Sequence, residues 1–227
     1  MSKKMLVVLT SFPKYPTLNR ATGLWLGEAV HFVKAVEAAG YAVDYVSPKG
    51  GYTPIDPHSL AMADETDWAW YQDAAFMARL GSVLKPEQVN PADYSVIYYA
   101  GGHGVVWDFP DNKALQKIAS LIYEAGGIVS SVCHGAVGLL NIQLSDGSLL
   151  LKGKEATGFS NAEEKLAELD QYVPYLTEDE MLKRGAIYKK AAEPWASFAV
   201  ADQRLITGQN PASGGAVAAL VLKALAG

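Results

Sequence analysis

The chain holds one cysteine, and it stands in Ser130-Ser131-Val132-Cys133-His134-Gly135. The apolar run Gly127–Val132 reads as a strand buried on both faces, so the thiol falls where that strand stops. A helix from about Ala136 to Asn141 is expected to follow. A strand that turns at once into a helix holds the turn residue on a tight, strained elbow with its side chain exposed. The partial positive charge of the helix N-terminus lowers a thiol pKa there and raises the thiolate fraction. Backbone N–H groups of the same turn can stabilise an oxyanion. Gly135 lets the chain bend and lets a substrate approach closely. A lone cysteine is by default a small core hydrophobe. Cys, His and Gly in succession at a strand end are a poor way to fill a core, and they point to nucleophilic catalysis.

Three further features bear on that chemistry. His134 is the nearest base, but adjacent residues of an extended strand point to opposite faces, so its contact with the thiol depends on the elbow. Gly101-Gly102-His103-Gly104 ends another apolar run, and its glycines allow backbone amides to face a substrate oxygen. It is not a Walker loop, because no Gly-Lys-Ser/Thr follows. Glu28 lies within Gly23–His31, in the first turn or two of a predicted helix, where a carboxylate usually complements the helix dipole. Trp25 and Leu26 beside it would partly desolvate the carboxyl, raise its pKa and fit it for proton exchange near neutrality. Read alone, Glu28 is dipole decoration. None of the four histidines (His31, His58, His103, His134) shows a metal spacing such as His-Glu-x-x-His. No metal and no cofactor is expected.

The elements that would position these residues alternate. Met5–Thr10 reads as a buried strand and Leu24–Ala39 as a helix, with Leu26, Val30, Val33 and Val36 recurring every three or four residues and Gly40 as its C-cap. Ala42–Ser47 is the next strand. Residues 48–94 are less regular and rich in Trp, Asp and Pro, with one helix expected over Asp64–Leu80. Ser95–Ala100 is a third strand, Asp111–Ala125 a helix with Asp111 as N-cap, and Gly127–Val132 the fourth strand. Thr177-Glu178-Asp179-Glu180 matches a capping box opening a helix to Arg184. Ser197–Ala201 and Arg204–Thr207 pair around Asp202-Gln203, and Ala212–Ala226 is a closing helix. This alternation predicts one flavodoxin-like α/β domain over residues 1–227, with a doubly wound, mostly parallel sheet and helices on both faces. Ligands of such sheets bind at the carboxyl ends of the strands, where both Gly101–Gly104 and Val132–Gly135 fall.

Composition narrows the function classes. The chain has 227 residues, half of them hydrophobic, and a net charge of -5. Without a run of Lys or Arg, no nucleic-acid partner is indicated. No stretch approaches the ~20 apolar residues of a membrane span. The apolar run after Lys3-Lys4 is too short for a signal peptide. With one cysteine no intrachain disulfide can form, which fits a reducing compartment. The expected location is the cytoplasm.

These residues resemble the ThiJ/PfpI superfamily, of class I glutamine amidotransferase-like fold, and within it the branch of heat-shock chaperones with glyoxalase III activity. The resemblance spans nearly the whole chain. It includes Leu9-Thr10-Ser11, Thr22-Gly23 with Glu28, Val43–Pro48, Gly102-His103-Gly104, Asp108-Phe109-Pro110, Val132–Gly135, Thr157-Gly158-Phe159 and Thr207–Ser213. The cysteine elbow with its upstream glutamate is specific to the superfamily; Asn210-Pro211-Ala212-Ser213 and Asp108-Phe109-Pro110 narrow it to the branch. The resemblance implies that Cys133 is the nucleophile and His134 its partner. Glu28 would hydrogen-bond the sulfur and shuttle a proton. An acid after Thr157-Gly158-Phe159 would complete the triad; Glu163 and Glu164 both lie there, and spacing favours Glu164. Backbone amides of Gly102 and His134 would form the oxyanion hole. The implied reaction converts methylglyoxal, a small aldehyde, to lactate without glutathione or metal, and a homodimer is implied with it. Trp25, Trp107 and Trp195 are expected to crowd the pocket mouth.

Other readings remain. A small amidase or peptidase of the same fold is compatible with the elbow, whereas a glutaminase would need a distant His-x-Glu that is absent. A holdase chaperone or redox sensor would exploit a reactive, exposed thiol and an apolar patch. A flavodoxin-like electron carrier lacks a phosphate-binding loop after the first strand.

Overall fold

The computed structural model describes residues 4–227, so Met1–Lys3 of the N-terminal run lie outside the described residues. The strands are β1 (Lys4–Val8), β2 (Val43–Val46), β3 (Tyr94–Tyr99), β4 (Ile128–Val132), β5 (Glu155–Ala156), β6 (Ile187–Tyr188), β7 (Ala199–Asp202) and β8 (Leu205–Gly208). The α-helices are α1 (Leu26–Ala38), α2 (Pro57–Ala61), α3 (Glu65–Tyr71), α4 (Ala74–Leu80), α5 (Val105–Asp108), α6 (Lys113–Glu124), α7 (Asn161–Leu166), α8 (Thr177–Lys183) and α9 (Gly214–Ala226). Six strands form one sheet in the order β2-β1-β3-β4-β8-β7, parallel except for the hairpin β7–β8 at its edge. β5 and β6 make a separate parallel pair.

The continuous apolar runs become strands buried on both faces because the sheet is covered on both. Along β1, Met5 and Val7 face one core with α1, α4 and α9, while Leu6 and Val8 face the other with α5 and α6. On the first side Phe32 of α1 stacks on Tyr98 of β3 with ring centroids 3.7 Å apart. The Tyr98 hydroxyl donates to the Glu28 carbonyl at 2.8 Å, so the sheet fixes α1 where it carries that glutamate.

Some boundaries differ from the sequence expectation for identifiable reasons. The helix expected over Asp64–Leu80 is two, α3 and α4, because Asp73 breaks it by accepting from the Phe76 N–H and capping a new start. Asn112, not Asp111, caps α6, with its side chain taking the Leu115 N–H. Leu176, in extended backbone, occupies the N-cap of α8, so Thr177 lies inside the helix with its hydroxyl buried and unpartnered. The reciprocal capping boxes on the described α-helices are instead Asp64 with Asp67 and Ser160 with Glu163. The late hairpin turns at Gln203, which takes a left-handed φ of 55°. Among the described residues no helix is long and apolar enough to cross a membrane.

Gly135 is needed for a reason other than flexibility. Its φ is not positive; a Cβ there would collide with the Tyr99 carbonyl of the neighbouring strand. The backbone collision partner cannot swing aside as a side chain would. Gly135→Ala is therefore expected to lower stability by roughly 1–3 kcal/mol, the cost of overpacking, read as a lower denaturant midpoint. An unchanged midpoint would show that the β3 and β4 ends do not constrain each other there.

Candidate active site

β4 ends at Val132 in extended backbone, and Cys133 then takes φ 56° at the start of a 3-10 helix, Cys133–Leu139. The expected α-helix is thus a tighter 3-10 turn. A left-handed φ outside glycine costs roughly 1–2 kcal/mol and is held only where the surroundings enforce it. This turn breaks the alternation of an extended strand and brings consecutive side chains together: Cys133 Sγ lies 3.5 Å from His134 Nδ1. Both residues are buried.

Behind His134 stands a carboxylate. Ser160 caps α7 through its box with Glu163, and one residue further on Glu164 turns inward. Glu164 Oε2 lies 2.6 Å from His134 Nε2, and its Oε1 lies 2.7 Å from His103 Nε2. Glu163 does not reach the histidines. It accepts from Ser160, from the Trp195 N–H at 2.9 Å and from Asn210 Nδ2 at 2.8 Å. Burial pushes the Glu164 carboxyl up, but the charges and hydrogen bonds of His134 and His103 outweigh it and hold the group well below the usual carboxylate range. An ionised carboxylate only accepts, so both imidazoles donate from Nε2. In its neutral form His134 therefore turns the Nδ1 lone pair toward the thiol. His103 was visible in the sequence only as a residue between glycines; burial, and then the neighbouring charge of His134, depress its pKa.

Glu28 occupies the other side of the sulfur. Its Oε2 accepts the Gly101 N–H at 2.7 Å, and a Cβ on Gly101 would sit 2.6 Å from that oxygen. Oε1 is buried without a hydrogen-bond partner among the described residues, and the Cys133 thiol beside the carboxyl offsets only part of its desolvation. Burial pushes the Glu28 carboxyl up to about 8. The Cys133 thiol is also raised well above its ordinary value, first by burial and then by the charge of Glu28, and the His134 backbone N–H offsets this only in part. The lowered thiol pKa expected from the elbow is thus overridden in the resting site. Two acids share one dry space, so they do not both ionise near neutrality. While Glu28 keeps its proton, its charge does not oppose a thiolate and its O–H can donate to one.

Gly102 takes φ 100°, and a Cβ there would strike the backbone of Gly23, Leu24 and Trp25. Among the described residues no acceptor takes up its N–H. Gly102, His103, Cys133 and His134 all line one cavity of about 530 Å³. Phe159, whose ring lies 4.3 Å from that of His134, and Trp195 form an apolar wall. Trp25 lines it as expected. Trp107 does not: it stacks on Phe12 at 5.1 Å. The irregular stretch after β2 contributes Asp56, His58 and Met62, which sequence reading missed because their relation to the site arises only from folding.

Two groups place three potential metal-ligand atoms within 4.8 Å of one another: His103, His134 and Glu164, and His31, Asp64 and Asp67. Sequence spacing hid both, since the partners are distant in the chain. In the first, the 2.6–2.7 Å nitrogen–oxygen separations are those of direct hydrogen bonds, so a proton fills each gap. In the second, His31 lies 3.3 Å from the exposed carboxylate of Asp64 and from the buried one of Asp67, as an ion pair at the rim of α3.

The motifs that narrow the family brace the site. Asp108 accepts from the Thr10 hydroxyl at 2.9 Å and the Ser11 N–H at 2.7 Å, fixing the turn after β1. Asn210 ties Glu163 to the Ala196 carbonyl, and Ser213 holds Asn210.

Known proteins resemble this chain over nearly its whole length. The Saccharomyces cerevisiae glutathione-independent glyoxalase HSP31 is 36% identical over 98% of this chain and 98% of its own. Candida albicans glyoxalase 3 is 32% identical over 92% and 93%. The crystal structure of glyoxalase III from Candida albicans superposes with a TM-score of 0.90 at 31% identity, covering 98% of this chain and 97% of that one. The Francisella tularensis Rapid Encystment Protein 24 KDa superposes with a TM-score of 0.94 at 36% identity over 99% of each. Residues 21–224 match the DJ-1/PfpI family model, and the chain belongs to the DJ-1/PfpI family.

Proposed function

We propose that this protein is a glutathione-independent glyoxalase that converts methylglyoxal to lactate through a Cys133 adduct. The observation that carries the reading is a buried thiol held between a neutral-leaning carboxyl, Glu28, and a histidine whose free Nδ1 faces it. The full-length similarity to named glyoxalases supports it. In the proposed sequence His134 Nδ1 takes the thiol proton as Sγ adds to the aldehyde carbon. The N–H groups of Gly102 and His134 hold the oxygen as charge develops. The imidazolium returns its proton to the hemithioacetal oxygen, and His134, or Glu28 in its ionised form, then takes the proton on C1, giving an ene-diol. Reprotonation at C2 gives the lactoyl thioester. Water then adds to the thioester carbonyl and the carbon–sulfur bond breaks, which releases lactate and restores the Cys133 thiol in place. Glu164 keeps His134 in the useful tautomer and stabilises its imidazolium. The cysteine dependence suits a reducing compartment, the cytoplasm. A peroxide sensor would need an exposed thiolate, whereas Cys133 is 2% exposed and its thiol is raised.

Lactate formation from methylglyoxal without glutathione tests the reading. Cys133→Ala and Glu28→Gln are expected to abolish turnover, and Glu164→Gln to lower kcat by about 10²–10⁴-fold through the wrong His134 tautomer. Full activity in Cys133→Ala would sink the adduct; an inactive but folded and reduced wild type would sink the glyoxalase itself.

The shared environment of Glu28 and Cys133 also fixes a pH dependence. Above about 8 Glu28 ionises and its charge disfavours the thiolate. Gln keeps the neutral form at every pH. The rate of Cys133 alkylation by iodoacetamide is therefore expected to rise at lower pH in Glu28→Gln than in wild type. A midpoint that stays put or moves up would mean the two groups are not coupled.

A further inference from the structure

Methylglyoxal, a three-carbon dicarbonyl, leaves most of a 530 Å³ cavity unfilled; pockets of roughly 300–1,000 Å³ bury drug-sized ligands. The walls between the dyad and the mouth are apolar and aromatic: Trp25, Phe159, Leu169 and Trp195. Away from Cys133 the lining carries two charged side chains, Arg20 from the loop after β1 and Asp56 before α2. They are not equivalent. Both oxygens of Asp56 are occupied, one by the His58 N–H at 2.8 Å and the other by the Thr22 hydroxyl at 2.9 Å. Arg20 makes no ion pair and no side-chain hydrogen bond among the described residues; its guanidinium lies only over the Tyr15 ring, 5.8 Å from the centroid. A half-buried guanidinium with its donors free, on the wall of a reactive cavity, is a site for an anion, since its planar fork matches carboxylate and phosphate.

We propose that the cavity selects 2-oxoaldehydes larger than methylglyoxal, in which an apolar or aromatic body separates the dicarbonyl from an anionic group held by Arg20. This rests on the glyoxalase reading and adds the substrate class to it. The dicarbonyl sits at Cys133, the body packs on Trp25, Phe159 and Trp195, and the anion meets Arg20. The chemistry at the thiol is unchanged, and only binding is gained.

The test compares phenylglyoxal with 4-carboxyphenylglyoxal at one fixed ionic strength, because the contact is partly screened. Wild type is expected to show a kcat/KM about tenfold higher for the carboxylated aldehyde, the discrimination of one charge-assisted contact. In Arg20→Gln this ratio should collapse to about one. A wild-type ratio near or below one, or a ratio that Arg20→Gln leaves unchanged, overturns the proposal. A second arm needs no turnover: calorimetric binding of 4-acetylbenzoate against acetophenone, with the same tenfold preference in wild type and none in Arg20→Gln. If no aldehyde is turned over, methylglyoxal included, the glyoxalase reading fails, and the binding arm still decides the anion site, with equal binding overturning it.

Discussion

Cys133 holds its left-handed φ of 56° at the one point where the central strand gives way to a 3-10 turn, and the neighbouring residues are constrained by that conformation. An extended Cys133 would point its sulfur and the His134 ring to opposite faces of the sheet. The turned one places them 3.5 Å apart. The backbone can fold so tightly only because the adjacent strand end approaches without obstruction. Gly135 leaves room for the Tyr99 carbonyl, and Gly101 leaves room for both the Glu28 carboxyl and the Gly135 amide. Two parallel strands side by side, each running into a turn with a glycine at the point of closest approach, are thus the frame of the site. The roughly 1–2 kcal/mol of strain at Cys133 is sustained by a sheet whose central strands have no exposed residue between Val96 and Tyr99 or between Ile128 and Val132.

Two buried glutamates flank the dyad and are driven in opposite directions by what surrounds them. Glu28 meets one backbone N–H and a thiol, too little to replace lost water, and its carboxyl is raised to about 8. Glu164 meets two imidazole N–H donors at 2.6 and 2.7 Å and stays ionised. Environments that split like groups in this way separate an acid from a charge stabiliser. The division also explains why Glu163 is unsuited to the second role although it is the immediate neighbour. Its oxygens are spent on the N-cap of α7, the Trp195 N–H and Asn210, so it holds the wall of the cavity.

The parts legible in the sequence are those set by local pattern. The runs around Met5, Ser95 and Gly127 declare buried strands, and Cys-His-Gly at a strand end declares an elbow, whereas Glu28 read alone is dipole decoration and its raised pKa comes from full burial in the fold. What escaped depends on contacts across the chain. Nothing local says that the turn after Val132 is a 3-10 helix, that Gly135 answers to Tyr99 rather than to a substrate, or that burial outweighs the helix N-terminus at the thiol. Thr177 satisfies the capping-box pattern as well as Ser160 does, and only the extended backbone at Leu176 decides which is real. His103 and His134 are 31 positions apart by number, and what joins them is a carboxylate from α7.

The chemistry and the selectivity of the cavity come from different parts of the fold. The reacting groups sit on the ends of β3 and β4 and on α1 and α7, which the core fixes from both faces. The outer walls come from the loop after β1, from the short helices between β2 and β3, and from the stretch around Trp195. These segments carry little regular structure, and their anchors are single polar side chains: Asp108 for the loop after β1, Asp56 for α2 and Glu163 for Trp195. A change in such a wall alters the shape of the cavity without touching the sheet, whereas a change at Gly101 or Gly135 reaches the reacting atoms directly. Specificity can therefore shift on this scaffold while the thiol, its histidine and its two carboxyls stay where the strands put them.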